Sequence, residues 1–421
     1  MICIFYIFAP EMRVLLVNTS EHIGGAAIAA ARLTNVLNHH GVKAILLVRD
    51  KQGGCITTST VPQRLRLKVA FLWERLCIWT ANRFSRKRLW AVDIANAGAD
   101  ITHLPEFKSA DIIHLHWVNQ GMLSLQQIEK ILMSGKPVVW TMHDMWPCTA
   151  ICHHANDCER YLSQCHDCPQ LVHPSRHDLS WQVFIKKKNM YARGKITFIG
   201  VSQWMTERAR RSALTSAHDC ITIPNVIPFE QLQPMERHQA RTELGLPQQV
   251  PIIVFGAVRI DQPGKGLPRL LDALERCREL HIHLLLFGEL KDRSWLQRIN
   301  VPFTYLGSVR TTSELCRIYS SADVVVNASD YETFGLTLAE AMACGCTPVS
   351  FDRGGQSDII QHRENGYLAQ YGDTEDLAAG IRWALQAQLP CQQLRHSIVS
   401  RFSEEAVARQ HIQLYERLLT H

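Results

Sequence analysis

The sequence predicts an α/β chain of two doubly wound, Rossmann-like domains, and three observations carry that prediction. Short apolar runs rich in β-branched residues alternate with helix-period segments along the whole chain. The runs are continuously apolar rather than alternating, which suits strands buried on both faces of a parallel sheet. The β-α order occurs twice, on either side of an aperiodic, proline-rich segment at 223–234. A length of 421 residues accommodates two or three domains at roughly 150 each.

In the first half, RVLLVN (13–18), AILLV (44–48), DIIHLHW (111–117), PVVWTMHD (137–144) and ITFIGVS (196–202) read as strands. In the second half, PIIVFGAV (251–258), HIHLLLFG (281–288), FTYLG (303–307), ADVVVNAS (322–329) and TPVSF (347–351) do the same. Residues 403–419 have a helical apolar pattern. The domain plan is an extension at 1–11, a first Rossmann-like domain at 12–225 with a Cys-rich insertion at 148–168, and a second at 226–400. A C-terminal helix at 401–421 is expected to pack back on the first domain. Two such domains imply a ligand cleft between them.

Composition narrows the class. Apolar residues make up 46% and charged residues 20%, an ordinary globular balance that excludes disordered, collagenous and coiled-coil chains. The net charge of +6 does not mark a nucleic-acid binder and suits an anionic substrate or membrane surface equally. MICIFYIFAP at the N-terminus is too short to span a bilayer and lacks the basic n-region of a signal peptide. Met12 opens the first strand and reads as the natural start, with 1–11 as a non-native extension. No stretch has the length of a transmembrane helix. The 14 cysteines are therefore expected in a reducing, cytoplasmic compartment where disulfides are rare. The Asn18 and Asn327 sequons would carry no sugar there.

The most informative segment runs from Ser329 to Pro348, SDYETFGLTLAEAMACGCTP. A strand ends at Ser329, a loop carries Glu332, and a helix is expected from about Phe334 to Gly345, with Glu340 inside it. Backbone N–H groups of Phe334, Gly335 and Leu336 at the helix start form a ready site for a diphosphate. A carboxylate a turn or two further in can bind ribose hydroxyls.

This string resembles the E-x7-E signature of the retaining glycosyltransferases of family 4, which have the GT-B fold. Other segments follow the family's order: Gly24-Gly25-Ala26-Ala27 after the first strand, Thr141-Met142-His143-Asp144 at a strand end, Ile223-Pro224-Asn225 at the crossover, and Gly256 through Arg259 with Lys265-Gly266. The region from Trp140 through CHHANDCERYLSQCHDCP looks most like colanic-acid and other surface-polysaccharide glycosyltransferases. The resemblance spans essentially all of 12–421.

The resemblance implies a UDP- or GDP-sugar donor held mainly by the second domain. It also implies a polyprenyl-linked glycan acceptor of colanic-acid, O-antigen, lipopolysaccharide or exopolysaccharide type. Arg259 and Lys265 would neutralise the departing diphosphate without a metal or other catalytic cofactor. Their bland alternatives are a solvated strand end and a loop lysine. Glu340 would hold the ribose and Glu332 would face the sugar hydroxyls, neither acting as a nucleophile. His143 would bond the donor sugar or orient the acceptor, or is a structural histidine. Gly24 and Gly25 would let a loop approach donor phosphate or acceptor, or form an ordinary turn into a helix. His114 and His116 are expected inside the first sheet. The family often has Gly directly before Arg, whereas Ala257 and Val258 stand between Gly256 and Arg259 here, and Arg353 before Gly354-Gly355 is less usual.

Two segments lie outside the motifs. Cys152, Cys158, Cys165 and Cys168, with Cys148 just upstream, give a four-cysteine structural zinc site as one reading. Free thiols in a packed loop and disulfides are the others. Residues 64–90, RLRLKVAFLWERLCIWTANRFSRKRLW, carry eight Lys/Arg and one acid among interleaved aromatics. That composition suits an interfacial helix on anionic lipid, which would make the protein peripheral on the inner face of the cytoplasmic membrane. It also suits a helix whose apolar side packs on the first domain. The competing functional readings are a sugar-nucleotide 2-epimerase of the same architecture and a non-catalytic sugar-nucleotide-binding protein.

Overall fold

The computed structural model describes residues 12–62, 64–86 and 88–420; the extension at 1–11 lies outside them. The chain divides into two compact units, one running to Ile223 and resuming at Ala408, the other spanning Pro224–Val407.

The first unit is built on a seven-stranded sheet. Its strands are β1 (Arg13–Ser20), β2 (Lys43–Asp50), β3 (Thr58–Thr60), β4 (Ile112–Leu115), β5 (Val138–Met142), β6 (Thr197–Gly200) and β7 (Asp219–Thr222), in spatial order β3-β2-β1-β4-β5-β6-β7. Every pairing is parallel, and β1 sits between β2 and β4 with Val14 level with Ala44 on one side and Ile112 on the other. β4, β5 and β6 are buried throughout, which is why their sequences are continuous apolar runs. Helices α1 (Gly25–His39), α2 (Arg64–Ala81), α3 (Pro105–Ser109), α4 (Leu125–Leu132), α5 (Leu179–Tyr191) and α6 (Gln203–Arg211) connect them. Ser124 and Gln127 close α4 with a reciprocal capping box.

The second unit has a six-stranded parallel sheet in the order β10-β9-β8-β11-β12-β13. Its elements are α7 (Arg237–Glu243), β8 (Ile252–Arg259), α8 (Leu267–Glu275), β9 (His283–Glu289), β10 (Phe303–Tyr305), α9 (Thr312–Ser321), β11 (Val324–Asn327), α10 (Leu336–Ala343), β12 (Thr347–Phe351), β13 (Tyr367–Ala369), α11 (Thr374–Ala387) and α12 (Cys391–Phe402). The last helix, α13 (Glu404–Leu419), places Tyr415 in the first unit, where its hydroxyl lies 2.7 Å from His114 Nδ1. Both sheets reverse direction once, between β1 and β4 and between β8 and β11. Open parallel sheets bind ligands beyond the strand C-termini at such switch points. Three short strands, β3, β7 and β13, were not among the sequence expectations, because TST, DCIT and YLA carry no extended apolar run.

The Cys-rich insertion is fastened to the first unit by buried charge. His153 lies between two carboxylates, with Nδ1 2.7 Å from Asp144 Oδ2 and Nε2 2.7 Å from Asp93 Oδ2. Burial works against charge on the ring, but Asp144 and Asp93 outweigh it and push the His153 pKa up to about 10. Burial likewise opposes the charge on Asp144, yet His153 holds that carboxyl down at about 2. Asp93 also bonds the Arg75 guanidinium, which donates to the carbonyls of Leu89 (2.8 Å) and Val92 (3.0 Å). Glu74, buried beside Arg75, accepts from the amides of Ile94 (2.8 Å) and Ala95 (2.6 Å). The buried Lys187 ammonium donates to the carbonyls of Trp146 (2.6 Å) and Thr149 (3.0 Å), anchoring the start of the insertion.

The four cysteines line one cavity of about 20 Å³, the size of a single water-sized sphere. Among the described residues, however, no three His, Cys, Asp or Glu side chains are grouped so that they could hold a metal ion. Cys152, Cys158, Cys165 and Cys168, read from sequence as a structural zinc set, thus converge on one cavity without the ligand geometry of a bound ion. The described cysteines are free thiols. Burial pushes Cys165 up to about 12 and Cys168 to about 11, and raises Cys152 as well.

Two outcomes follow. His153→Gln removes the positive charge between two buried carboxylates and should cost about 3 kcal/mol of stability near neutral pH. The folded pKa of about 10 lies above the unfolded value of about 6.5. The imidazolium therefore stabilises fully below the unfolded value, and that contribution is lost as pH rises through the folded one. Denaturant midpoints of wild type and variant should differ most below the unfolded pKa and converge as pH climbs through the folded one; a pH-independent gap contradicts the charge sandwich. Ellman's reagent at mildly alkaline pH should reach the exposed Cys55 first and the buried Cys165 and Cys168 only on unfolding. Protection that a chelator abolishes, with stoichiometric zinc in the purified chain, would show instead that an ion draws the sulfurs together.

Candidate functional site

In the second unit, the loops leaving β8 and β11 meet at the switch point. Gly266 has φ +84°, and a Cβ there would lie 1.8 Å from the Ala328 carbonyl oxygen. Only glycine permits both the left-handed backbone and that approach. Asp330 N donates to Gly264 O at 2.8 Å, closing the same contact. Lys265 and Glu332 are thereby brought together, with Nζ 3.5 Å from Oε2. Asn327, at the end of β11, holds the same carboxylate oxygen from 3.4 Å through Nδ2. Both partners are part-exposed, the lysine at 35% and the glutamate at 21%, so their charged ends remain open to a ligand.

The loop after β12 completes the rim. Gly355 N donates to Glu332 O at 2.7 Å, and a Cβ on Gly354 (φ +136°) would come within 2.1 Å of that oxygen. Arg353 lies between two aromatic rings, 4.4 Å from the Tyr331 centroid and 3.9 Å from that of Tyr371. It also donates to the Tyr331 hydroxyl. The Tyr371 hydroxyl donates to Asp330 Oδ1 at 2.9 Å, and Arg269 Nη1 pairs with the same oxygen at 2.6 Å. Arg259, at the end of β8, pairs through Nε with Asp261 at 3.2 Å. The backbone amides of Lys291 and Asp292 hold the other Asp261 oxygen at 3.0 and 2.9 Å.

The helix of the motif, α10, is shorter than the sequence indicated. It begins at Leu336 after the left-handed Gly335 and ends at Ala343. Phe334 is buried, edge-on to Phe402 at 5.3 Å, so its ring serves the core. Glu340 is buried in the second turn. Gln356 was not singled out from sequence. It is fully buried beside the Gly354 bend, and neither of its amide atoms has a hydrogen-bond partner among the described residues. No motif marks it, nor the Tyr331–Arg353–Tyr371 stack, because both arise from loop conformation.

In the first unit, the ends of β1, β4 and β5 gather the other sequence candidates. Asn18 Oδ1 accepts from Trp117 N at 2.9 Å, and Thr19 N donates to Trp117 O at 2.8 Å. Gly24 (φ +91°) opens α1 with open space where a Cβ would stand, and Gly25 is the first residue of that helix. His143 Nε2 lies 2.9 Å from His116 Nδ1, the two rings stacked with centroids 5.2 Å apart. Burial lowers His143 to about 4 and His116 well below its usual value, so both are neutral at pH 7 and one donates to the other. His114 is buried between Tyr415 and Thr141, each 2.7 Å away. Asp144 accepts three hydrogen bonds: Oδ2 from Trp117 Nε1 (2.8 Å) and His153, and Oδ1 from Trp146 N (2.8 Å). It therefore orients its neighbours.

Residues 250–387 match the family described as Glycosyl transferases group 1. A sulfoquinovosyl transferase of Arabidopsis thaliana is 30% identical over 165 residues, which cover 38% of this chain and 32% of that one. The chain spans about a third to a half of the length of the curated relatives it matches. Among solved structures, sucrose-phosphate synthase from Thermosynechococcus elongatus superposes with a TM-score of 0.69 at 20% identity, covering 97% of this chain and 99% of that one. Anabaena HepE, solved in complex with UDP and glucose, gives 0.64 at 17% identity, covering 96% and 99%. The chain thus has the fold of the GT-B glycosyltransferases, and its residues 250–387 carry the match to glycosyl transferases group 1.

Proposed function

We propose that this chain is a retaining, metal-independent glycosyltransferase. It takes a sugar from a UDP- or GDP-sugar and adds it to a lipid-linked glycan of a bacterial surface polysaccharide, of colanic-acid, O-antigen or exopolysaccharide type, at the cytoplasmic face of the membrane. The observation that carries this reading is the Lys265–Glu332 pair at the β8/β11 switch point, inside the segment matching glycosyl transferases group 1. A nucleotide-sugar donor is further supported by the UDP and glucose bound in the Anabaena structure of the same fold.

In this mechanism Lys265 and Arg259 face the diphosphate. As the bond from the anomeric carbon to the phosphate oxygen breaks, negative charge grows on the leaving group, where fixed cations help most. Asp261 and Glu332 orient the two cations until the donor competes for them. The start of α10 presents backbone N–H groups to the diphosphate, Glu340 holds the ribose, and Glu332 contacts hydroxyls of the transferred sugar. The acceptor hydroxyl attacks from the face the phosphate leaves, and its proton passes to a phosphate oxygen. No glycosyl-enzyme forms, although two carboxylates are present. In the first unit, Gly24 and Gly25 give close backbone approach to the acceptor or donor phosphate. Neutral His143 contributes a hydrogen bond to a sugar hydroxyl.

Lys265→Ala should lower kcat/KM for transfer by about 10²–10³ while leaving the melting temperature of the ligand-free chain unchanged. Near-normal turnover would contradict the role given to Lys265. EDTA should leave the rate intact, and specific rescue by Mg²⁺ of an EDTA-treated enzyme would contradict metal-independent chemistry. Transfer without retention of anomeric configuration would contradict front-face attack. Conversion of the free sugar nucleotide to its 2-epimer with no acceptor present would favour the epimerase reading.

A further inference from the structure

We propose that α2 and the turn that follows it form a surface that docks on an anionic lipid bilayer, at the functional end of the first sheet. The partner follows from which faces of the helix are covered. Leu67, Ala70, Glu74, Arg75 and Ile78 point into the unit and are buried. Leu65, Val69, Leu72, Trp73 and Leu76 recur at spacings of four, three, one and three residues and are exposed, Leu65 at 77%, Leu72 at 63% and Trp73 at 54%. One α-helix therefore buries one stripe and presents a second apolar stripe to solvent. Phe84, just past the helix end, and Trp90, folded back beside Phe71, are each 64% exposed and add to this apolar surface.

Charge selects lipid over a protein partner. The single acid of residues 64–90, Glu74, is fully buried. The exposed charges described in this segment are Arg66, Lys68, Arg83, Arg86 and Arg88, all basic. An apolar stripe with tryptophan, bordered by cations only, matches the headgroup boundary of an anionic leaflet. A second copy of the same surface would set these cations against each other. No helix among the described residues is long and apolar enough to cross a membrane, so the contact lies in the plane of the interface.

The surface is rigidly placed. The Phe71 backbone packs on Gly121, in the loop after β4, where a Cβ would lie 2.7 Å from Phe71 N. Arg75 lies 5.6 Å from the ring centroids of both Phe71 and Trp90, joining helix to turn. Through Asp93 and His153 the same arginine is linked to Asp144 at the end of β5. A bilayer held by α2 therefore lies on the element seated beside the strand ends that gather His143, Gly24 and Gly25. The suggestion of a lipid-linked acceptor rests on the function proposed above; the docking surface does not.

The test is cosedimentation of the full chain with phosphatidylcholine vesicles, with and without about one-third phosphatidylglycerol. Binding should be at least tenfold stronger with the anionic lipid and should weaken as salt rises. Leu72→Glu with Trp73→Glu should abolish it, and so should Arg83→Glu with Arg86→Glu and Arg88→Glu. Both sets change exposed side chains, so melting temperature and nucleotide binding should be retained. Absence of binding by wild type, or binding indifferent to both variants, overturns the proposal. So does a wild-type dimer in sedimentation that the Trp73 variant dissociates. A chain that binds vesicles but no nucleotide sinks the transferase reading alone, and one that turns over donor but ignores vesicles sinks this surface alone.

Discussion

The chemistry of the second unit depends on one close approach, Gly266 against the Ala328 carbonyl. A side chain at 266 would drive the loop after β8 away from the loop after β11 and separate Lys265 from Glu332. The sheet supplies the rest of the constraint. Parallel strands all end on one side, and the order β9-β8-β11-β12 leaves a gap at the switch point that two loops can share. Glycines at 354 and 355 repeat the device from β12, letting a third loop bond the Glu332 backbone. Backbone proximity, rather than a dense array of side chains, builds the site.

The first unit solves its problem differently. There the strand ends are positioned by buried charge, running from Glu74 and Arg75 through Asp93 and His153 to Asp144. Such a chain is costly to desolvate and stabilises through its ion pairs and hydrogen bonds. Its benefit is orientation. It fixes an insertion with little regular structure, and through Trp117 and Trp146 it sets the ends of β4 and β5. The histidines beside it, kept neutral by burial, do not add charge to this network.

The α/β class and ten of the strands were legible because buried parallel strands write continuous apolar runs. The motif around Glu332 and Glu340 was legible because a strand end, a loop and a helix start fall in a fixed order. What escaped was non-local or conformational. His153 sits among other polar residues of a Cys-rich loop, and nothing local says that it bridges Asp93 and Asp144, 60 and 9 residues away. Arg353 showed as an oddity, but its two tyrosine partners come from other loops. Gln356 has no pattern at all. The cysteine spacing pointed to one cluster, and the four residues do line one cavity, although spacing along a chain does not fix ligand directions in space.

The central claim is that the β8/β11 switch point receives a nucleoside diphosphate through Lys265 and Arg259. The most direct measurement is thermal unfolding of the full chain against UDP, GDP, ADP, CMP and their common sugar conjugates. A ligand present at about a hundred times its dissociation constant stabilises by about 2.7 kcal/mol, a shift read easily in Tm. The account predicts that UDP or GDP and its sugar conjugates raise Tm selectively, and that Lys265→Ala removes the shift. No shift with any nucleotide, or a shift untouched by that substitution, would contradict it.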